Sequence, residues 1–425
     1  LTFTSGGITT ISLENTGDNA PVLYYSNNAQ TWSEWDYSEL AFSKDSPLYI
    51  CGDNTEGFNS STSKYSRFIA TGDKFSISGD AMSLIDYKAD VTVIPNTCCF
   101  YQLFYSCPLL TSATELPAST LNGYCYYEMF YGCTGLTSAP ELPATTLASG
   151  CYYGMFYGCA NLTSAPELPA TTLAQDCYIG MFGDCTGLTS VPELPATTLA
   201  FGCYGSMFYG CANLTSAPAL PATTLTQNCY TGMFGDCTGL TSVPELPATT
   251  LAFNCYGGMF YGCTGLTSAP DLPATTLATD CYSKMFYGCS SLISAPELPA
   301  TSLAEQCYRQ MFAGCTGLTS APDLPATTLH DYCYRQMFSG CTGITSTPEL
   351  PATNLRKGCY KQMFAGCTNL NYVKCLATDV SATDCTTDWL SGVASSGAFV
   401  KAGEMEDWTS GSEGIPKGWT VQDAE

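Results

Sequence analysis

The stretch Cys151–Asp176 reads CYYGMFYGCANLTSAPELPATTLAQD, and the next twenty-six residues, Cys177–Gly202, read CYIGMFGDCTGLTSVPELPATTLAFG. Working outward from this pair, the same phrase is found on both sides. First cysteines fall at 99, 125, 151, 177, 203, 229, 255, 281, 307, 333 and 359, and a second cysteine follows each after eight residues. Eleven units of 26 residues therefore run from Cys99 to Asp384. A fixed period of this length is the signature of a solenoid, whose units bury their apolar faces only against their neighbours.

On a helical wheel of about 100° per residue, Cys151, Tyr152, Met155, Phe156 and Cys159 share one arc, while Tyr153, Gly154 and Tyr157 point away. This predicts a short amphipathic helix, one or two turns long, that depends on the stack for its stability. The second half, LTSAPELPATTL, has two prolines and β-branched residues, so it reads as a short strand and a turn. Leu162, Leu168 and Leu173 are its expected inward anchors. The fold class expected is an α/β repeat, a leucine-rich-repeat solenoid with one short strand and one short helix per 26-residue coil.

On these columns the chain resembles the BspA-like leucine-rich repeats, the 26-residue repeat of bacterial surface proteins, over about two thirds of its length. The resemblance extends to arrays of gut anaerobes and their phages. It implies a secreted or surface-displayed protein that adheres or binds, and it carries no catalytic motif. Cysteine in the first column, where many members have an aliphatic residue, is a departure from the family pattern.

Outside the array, residues 1–96 alternate in strand fashion in ITTISL, PVLYY and KFSISG, which predicts a β-rich N-terminal capping domain before the repeats at 97–384. YSNNAQTW, Tyr25–Trp32, is one residue short of an Asp-box hairpin and lacks its central glycine, so it reads as a turn between two strands. After Asp384 the pattern decays. Trp389 stands in the methionine column, Leu390 in the phenylalanine column and Val393 in the second cysteine column, so residues 385–425 read as a C-terminal cap.

The chain has 425 residues and a net charge of -23, which disfavours nucleic acid and anionic membranes as partners. No apolar run is long enough to span a bilayer. Twenty-six cysteines raise metal, disulfide or packing roles. A spacing of eight along a helix offers no tetrahedral site and places paired sulfurs beyond bridging distance, so no metal is expected and packing is favoured for the two columns. Cys51, Cys98, Cys375 and Cys385 lie outside the paired pattern and are the better disulfide candidates. His330 is the only histidine and has no nucleophile partner at the repeat period, so no enzyme activity and no cofactor are expected.

Two surfaces are candidate sites. Glu115, Glu141, Glu167, Glu193, Glu245, Asp271, Glu297, Asp323 and Glu349 hold one column, interrupted by Ala219 and Cys375, and form an acidic stripe. The stripe is either simply solvated or a site for cations or a basic partner. The column two residues after the first cysteine varies instead. It carries Tyr127 and Tyr153 early and Arg309, Arg335 and Lys361 late, and Tyr131, Tyr157, Tyr209, Tyr261 and Tyr287 add aromatic surface that could stack on sugars or contact proteins. Drift on an unconstrained surface explains such variation as well as recognition does; but only a varying column gives a partner a unique register, so Tyr127, Tyr153, Arg309, Arg335 and Lys361 are the expected contacts. The leading functional expectation is a secreted or surface-displayed adhesion protein that binds protein or glycan at a cell surface. The alternative is a structural subunit, self-associating in an extracellular filament or a phage tail appendage. Near-identity favours the second: the units beginning at Cys177 and Cys229 differ only at Ile179/Thr231 and Gly202/Asn254.

Overall fold

The computed structural model describes residues 1–17, 20–406 and 408–424. The chain divides into two compact units, Leu1–Leu214 and Thr215–Glu425. Both are stacks of the 26-residue coil, and the first also holds the β-rich segment.

The segment expected to be helical is not a helix. From Tyr124 to Cys133, alternate residues use their N–H groups in different ways. Those of Tyr124, Tyr126, Glu128, Phe130 and Gly132 donate to the carbonyls of Ser149, Cys151, Tyr153, Met155 and Tyr157 in the next coil, at 2.7–3.0 Å. Those of Cys125, Tyr127, Met129, Tyr131 and Cys133 turn back to the carbonyl three residues earlier, at 3.1–3.3 Å. The carbonyls left over, on Cys125, Tyr127, Met129 and Tyr131, accept from Phe100, Gln102, Phe104 and Ser106 of the preceding coil. The result is a ribbon of overlapping four-residue turns cross-linked to both neighbours, in which every backbone polar group is satisfied. An α-helix could not do this, because its N–H groups lie along its own axis.

Every fourth residue of the ribbon takes a positive φ: 54° at Tyr124, 50° at Glu128 and 68° at Gly132. That conformation costs an ordinary L-residue about 1–2 kcal/mol, which explains why glycine, asparagine and aspartate recur there. Gly150, Gly154 and Gly158 hold these positions in the next coil, and Asn228, Gly232 and Asp236 in a coil of the second unit.

The inward set is the one expected. Cys151, Met155, Phe156, Cys159 and Leu162 are fully buried, and Leu168 and Leu173 nearly so. Inward tyrosines and phenylalanines stack coil on coil, with Tyr126–Tyr152 centroids at 5.8 Å and Phe130–Phe156 at 5.6 Å. The two cysteine columns differ from each other. Second-column thiols donate to a phenylalanine carbonyl of the preceding coil: Cys159 to Phe130 at 3.2 Å, Cys185 to Phe156 at 3.1 Å, Cys341 to Phe312 at 3.0 Å. The Phe130 carbonyl also accepts the N–H of Cys133, so both its lone pairs are used. First-column thiols donate over longer distances, as Cys177 does to the Cys203 carbonyl at 4.0 Å, and the Cys359 sulfur accepts from Arg356 N at 3.4 Å. All 26 cysteines are buried and free, including Cys51, Cys98, Cys375 and Cys385. The four residues read as disulfide candidates are thus packed as thiols.

The extended limb forms less strand than expected. Most coils join here through single bridges, such as Ser164 with Ser190 and Thr172 with Thr198. The prolines are the cause, since each removes a donor from the ladder. Past the last of these columns, in YVKCLA, a continuous strand does form. In the second unit β10 (Ser346–Leu350), β11 (Tyr372–Cys375), β12 (Ala398–Lys401) and β13 (Thr420–Asp423) make one parallel sheet in that order.

In the first unit, β1 (Thr2–Ser5), β2 (Thr9–Asn15), β3 (Leu23–Ser26), β4 (Ser33–Glu34), β5 (Leu40–Phe42), β6 (Leu48–Gly52), β7 (Ser66–Gly72) and β8 (Phe75–Ser78) precede the coils. The sheets run β4-β3-β6-β1-β8-β9, where β9 is Leu110–Ser112, and β5-β2-β7. YSNNAQTW supplies the turn between the antiparallel β3 and β4. This segment bonds to the first coil. The carbonyls of Cys99, Tyr101 and Leu103 accept from Asn59 N, Asn59 Nδ2 and Phe68 N at 2.9, 3.1 and 2.9 Å. Phe68 stacks on Phe104 at 5.2 Å, continuing the phenylalanine column beyond the array. At the other end of the chain, Thr386 stands in the tyrosine column, and the Trp389 ring stacks on Tyr360 at 6.0 Å.

Candidate recognition surface

The ribbon of turns places its non-buried columns on one outer face in each unit. In the first unit two tyrosine ladders lie there. Tyr101, Tyr127 and Tyr153 stack at 5.0 and 4.6 Å, and Tyr105, Tyr131 and Tyr157 at 4.9 and 5.1 Å. The rings lie nearly parallel, so each covers its neighbour's face. Within the ladders the ring faces are therefore taken up by neighbouring tyrosines. Tyr124, and Tyr157 on the side away from Tyr131, lie over the bare backbone of the next coil. A Cβ on Gly150 or Gly183 would come within 2.5 Å of their rings.

The ladder is also electrostatically coupled. Glu128 is half-buried between the tyrosines, accepts from Gln102 Nε2 at 2.7 Å, and is held above the usual carboxyl range by desolvation. Burial, then the Glu128 charge, pushes the Tyr101 hydroxyl up to about 12. Arg67 of β7 covers the end of the second ladder, 5.5 Å from the Tyr105 centroid. Tyr101, Tyr105, Arg67 and Glu128 were missed from sequence, although the first two stand in the same columns as Tyr127 and Tyr131.

In the second unit the same column carries Arg309, Arg335 and Lys361, one per coil. Arg309 Nη1 donates to Gln306 Oε1 at 3.1 Å, the Arg335 guanidinium sits 5.8 Å from the Tyr332 centroid, and Lys361 pairs with Asp384 at 3.0 Å. The Nε atoms of Arg309 and Arg335 are buried without an acceptor. Three columns change together here. Beside the cations stand Gln310, Gln336 and Gln362, and Ala313, Ser339 and Ala365 take the positions that Tyr261 and Tyr287 fill two coils earlier.

The acidic column lies on the extended limb. Glu115, Glu141, Glu167 and Glu193 in the first unit, and Glu245, Asp271, Glu297, Asp323 and Glu349 in the second, are all exposed. Glu349 pairs with Lys374 at 2.7 Å. Shallow grooves walled by proline and alanine separate successive carboxylates, with about 490 Å³ between Glu115 and Glu141 and about 580 Å³ between Asp271 and Glu297. His330 is exposed, and its Nδ1 accepts from Asp331 N at 3.0 Å. Among the described residues, no group of three or more His, Cys, Asp or Glu side chains is placed to hold a metal ion. No described helix is long and apolar enough to cross a membrane.

A family profile described as BspA type Leucine rich repeat region matches residues 99–241, 150–292 and 279–383. No curated protein matches the chain. The profile spans most of the array, and the chain belongs to the BspA-type leucine-rich repeat family.

Proposed function

From that membership we propose a non-enzymatic binding protein, secreted or displayed at a cell surface, whose recognition face is the outer face of the turn ribbon. The supporting observation is the division of labour among columns. The buried cysteine, tyrosine, methionine, phenylalanine and leucine columns are nearly invariant, because each must fill the same space in every coil. The outer columns of the ribbon change from Tyr127 and Tyr153 to Arg309, Arg335 and Lys361, and only such change gives a partner a defined register. Residues 1–96 and 385–425 serve in this reading as caps, since an uncovered end of a coil stack leaves apolar surface and open hydrogen bonds. The test replaces Tyr127, Tyr153, Arg309, Arg335 and Lys361 by serine. Binding to cells of the encoding organism, or to an array of immobilised surface proteins and glycans, should fall at least tenfold while the melting temperature holds. Loss of binding on neutralising Glu141, Glu167 and Glu193, with no effect of the five changes, would move recognition to the extended limb.

The second reading, a structural subunit of an extracellular filament or phage tail appendage, draws on the near-identity of the units at Cys177 and Cys229. A spacer needs repetition and no register. Electron microscopy of native material separates the two readings: isolated molecules favour the binder, regular polymers the subunit.

A further inference from the structure

The second unit carries two ladders of opposite charge on different limbs of the same coils. Arg309 and Arg335 occupy successive turn ribbons, joined by the Lys361 ammonium, and Lys284 is exposed one coil earlier. Asp271, Glu297 and Asp323 occupy successive extended limbs. Both ladders place one charge per coil, so a ladder and a stripe can meet charge for charge. In these coils neighbouring rings stand 5.1 Å apart at Tyr261–Tyr287 on the turn face and 5.7 Å apart at Phe260–Phe286 in the core. The cation positions also look selected rather than drifting, because two adjacent coils keep a buried guanidinium Nε without an acceptor, which costs stability. Ala313, Ser339 and Ala365 leave the surface beside the cations low, where tyrosine would stand proud.

We propose that this cationic ladder docks on the acidic stripe of a second copy of the chain. The inference rests on the structural-subunit reading and names the two surfaces through which its copies would join. The contact joins two different surfaces, so each bound copy keeps a free stripe and a free ladder, and growth is open-ended rather than closed. Single exposed ion pairs are weak, so the strength comes from repetition. Asp280, Glu305, Asp331 and Asp384 lie near the cations and partly offset them. Two copies also carry like net charge of -23 each. Association is therefore greatest at intermediate ionic strength, where repulsion beyond about 8 Å is screened but close contacts are not.

The test uses two full-length variants and sedimentation at several salt concentrations. One carries Arg309→Glu, Arg335→Glu and Lys361→Glu, and the other reverses the seven stripe carboxylates from Glu141 to Asp323 to lysine. Circular dichroism and thermal melting establish that each is folded. Wild-type chain should show a mass that rises with concentration, peaks near physiological salt and returns to monomer near 1 M. Each variant alone should stay monomeric, and a one-to-one mixture should restore association. The proposal is overturned if wild-type chain remains monomeric throughout, if the ladder variant associates like wild type, or if two folded variants fail to associate on mixing. It is also overturned if the ladder binds dextran sulfate without any self-association, which would assign the cations to an external polyanion. None of these outcomes decides whether the turn face binds other surfaces, which the five-serine variant tests separately.

Discussion

The buried thiols make a specific prediction about alkaline pH. Burial pushes Cys99, Cys151, Cys229, Cys255, Cys281, Cys289, Cys333, Cys367 and Cys375 up to about 12, from an ordinary value of 9.0. Above pH 9 the unfolded chain releases these protons and the folded chain keeps them, so the unfolded state binds fewer protons and stability falls as pH rises. The contribution is intact below about pH 9 and is lost between pH 9 and 12. At pH 10 each thiol shifts the balance by about 1 kcal/mol. Several acting together remove a large part of a domain's stability of about 5–15 kcal/mol. Inward tyrosines such as Tyr152, raised well above 10.0 by burial, act in the same direction. An anaerobic titration followed by far-UV circular dichroism and tyrosinate absorbance should show cooperative unfolding near pH 10, with the tyrosines ionising in the same step. Replacing Cys255, Cys281 and Cys333 by valine should shrink the stability difference between pH 7 and pH 9.5 by about 2 kcal/mol in urea melts. Native signal persisting to pH 11, or a valine variant with an unchanged pH difference, would refute the reasoning.

Alkylation without reductant should label almost no cysteine in the native chain and all 26 after denaturation, read by mass; sites still protected in denaturant would reveal disulfides. Cys185→Val should cost about 1 kcal/mol in urea melts, because it fills the space but loses the bond to the Phe156 carbonyl. Cys185→Ser keeps a donor there, and a serine variant no better than valine would show that the thiol acts by volume alone. Gly158→Val should destabilise by at least 2 kcal/mol, because a β-branched residue at its φ of 74° is strained, whereas Gly158→Asn should cost less than half as much.

The coil period and the buried set were legible in sequence for the same physical reason: each coil fills identical space, so a column repeats if it faces inward. The helix was misread because inward residues at positions 1, 2, 5, 6 and 9 fit a period of 3.6 and a period of 4 almost equally over so short a span. The sequence did hold a discriminating signal. Residues tolerant of positive φ recur every fourth place, as in Gly150, Gly154 and Gly158 or Asn228, Gly232 and Asp236, and a helix has no use for that spacing. The prolines were read as compatible with a strand, yet each deletes a ladder donor, so most limbs are held by single bridges; a ladder forms only where the proline-free Tyr372–Cys375 pairs with Ser346–Leu350, its register shifting around Pro348.

The outer face was legible as a column but not as a surface. Tyr127 and Tyr153 were visible as variable positions, yet their stacking at 4.6 Å follows from the coil spacing, which no single unit encodes. The same spacing decides what a partner meets. Where tyrosines follow one another, they bury their faces and present a row of edges. Where arginines follow one another, they stay half-buried and bring one positive charge per coil to the face. A change of residue type along one column thus alters the chemistry of the face without disturbing the coil beneath it. The backbone explains this tolerance. Cross-coil bonds are made by main-chain groups such as Gln310 N to the Arg335 carbonyl at 2.9 Å, so the side chains above them are free to differ. A fold whose cohesion is main chain and core leaves its outer columns open to specialise.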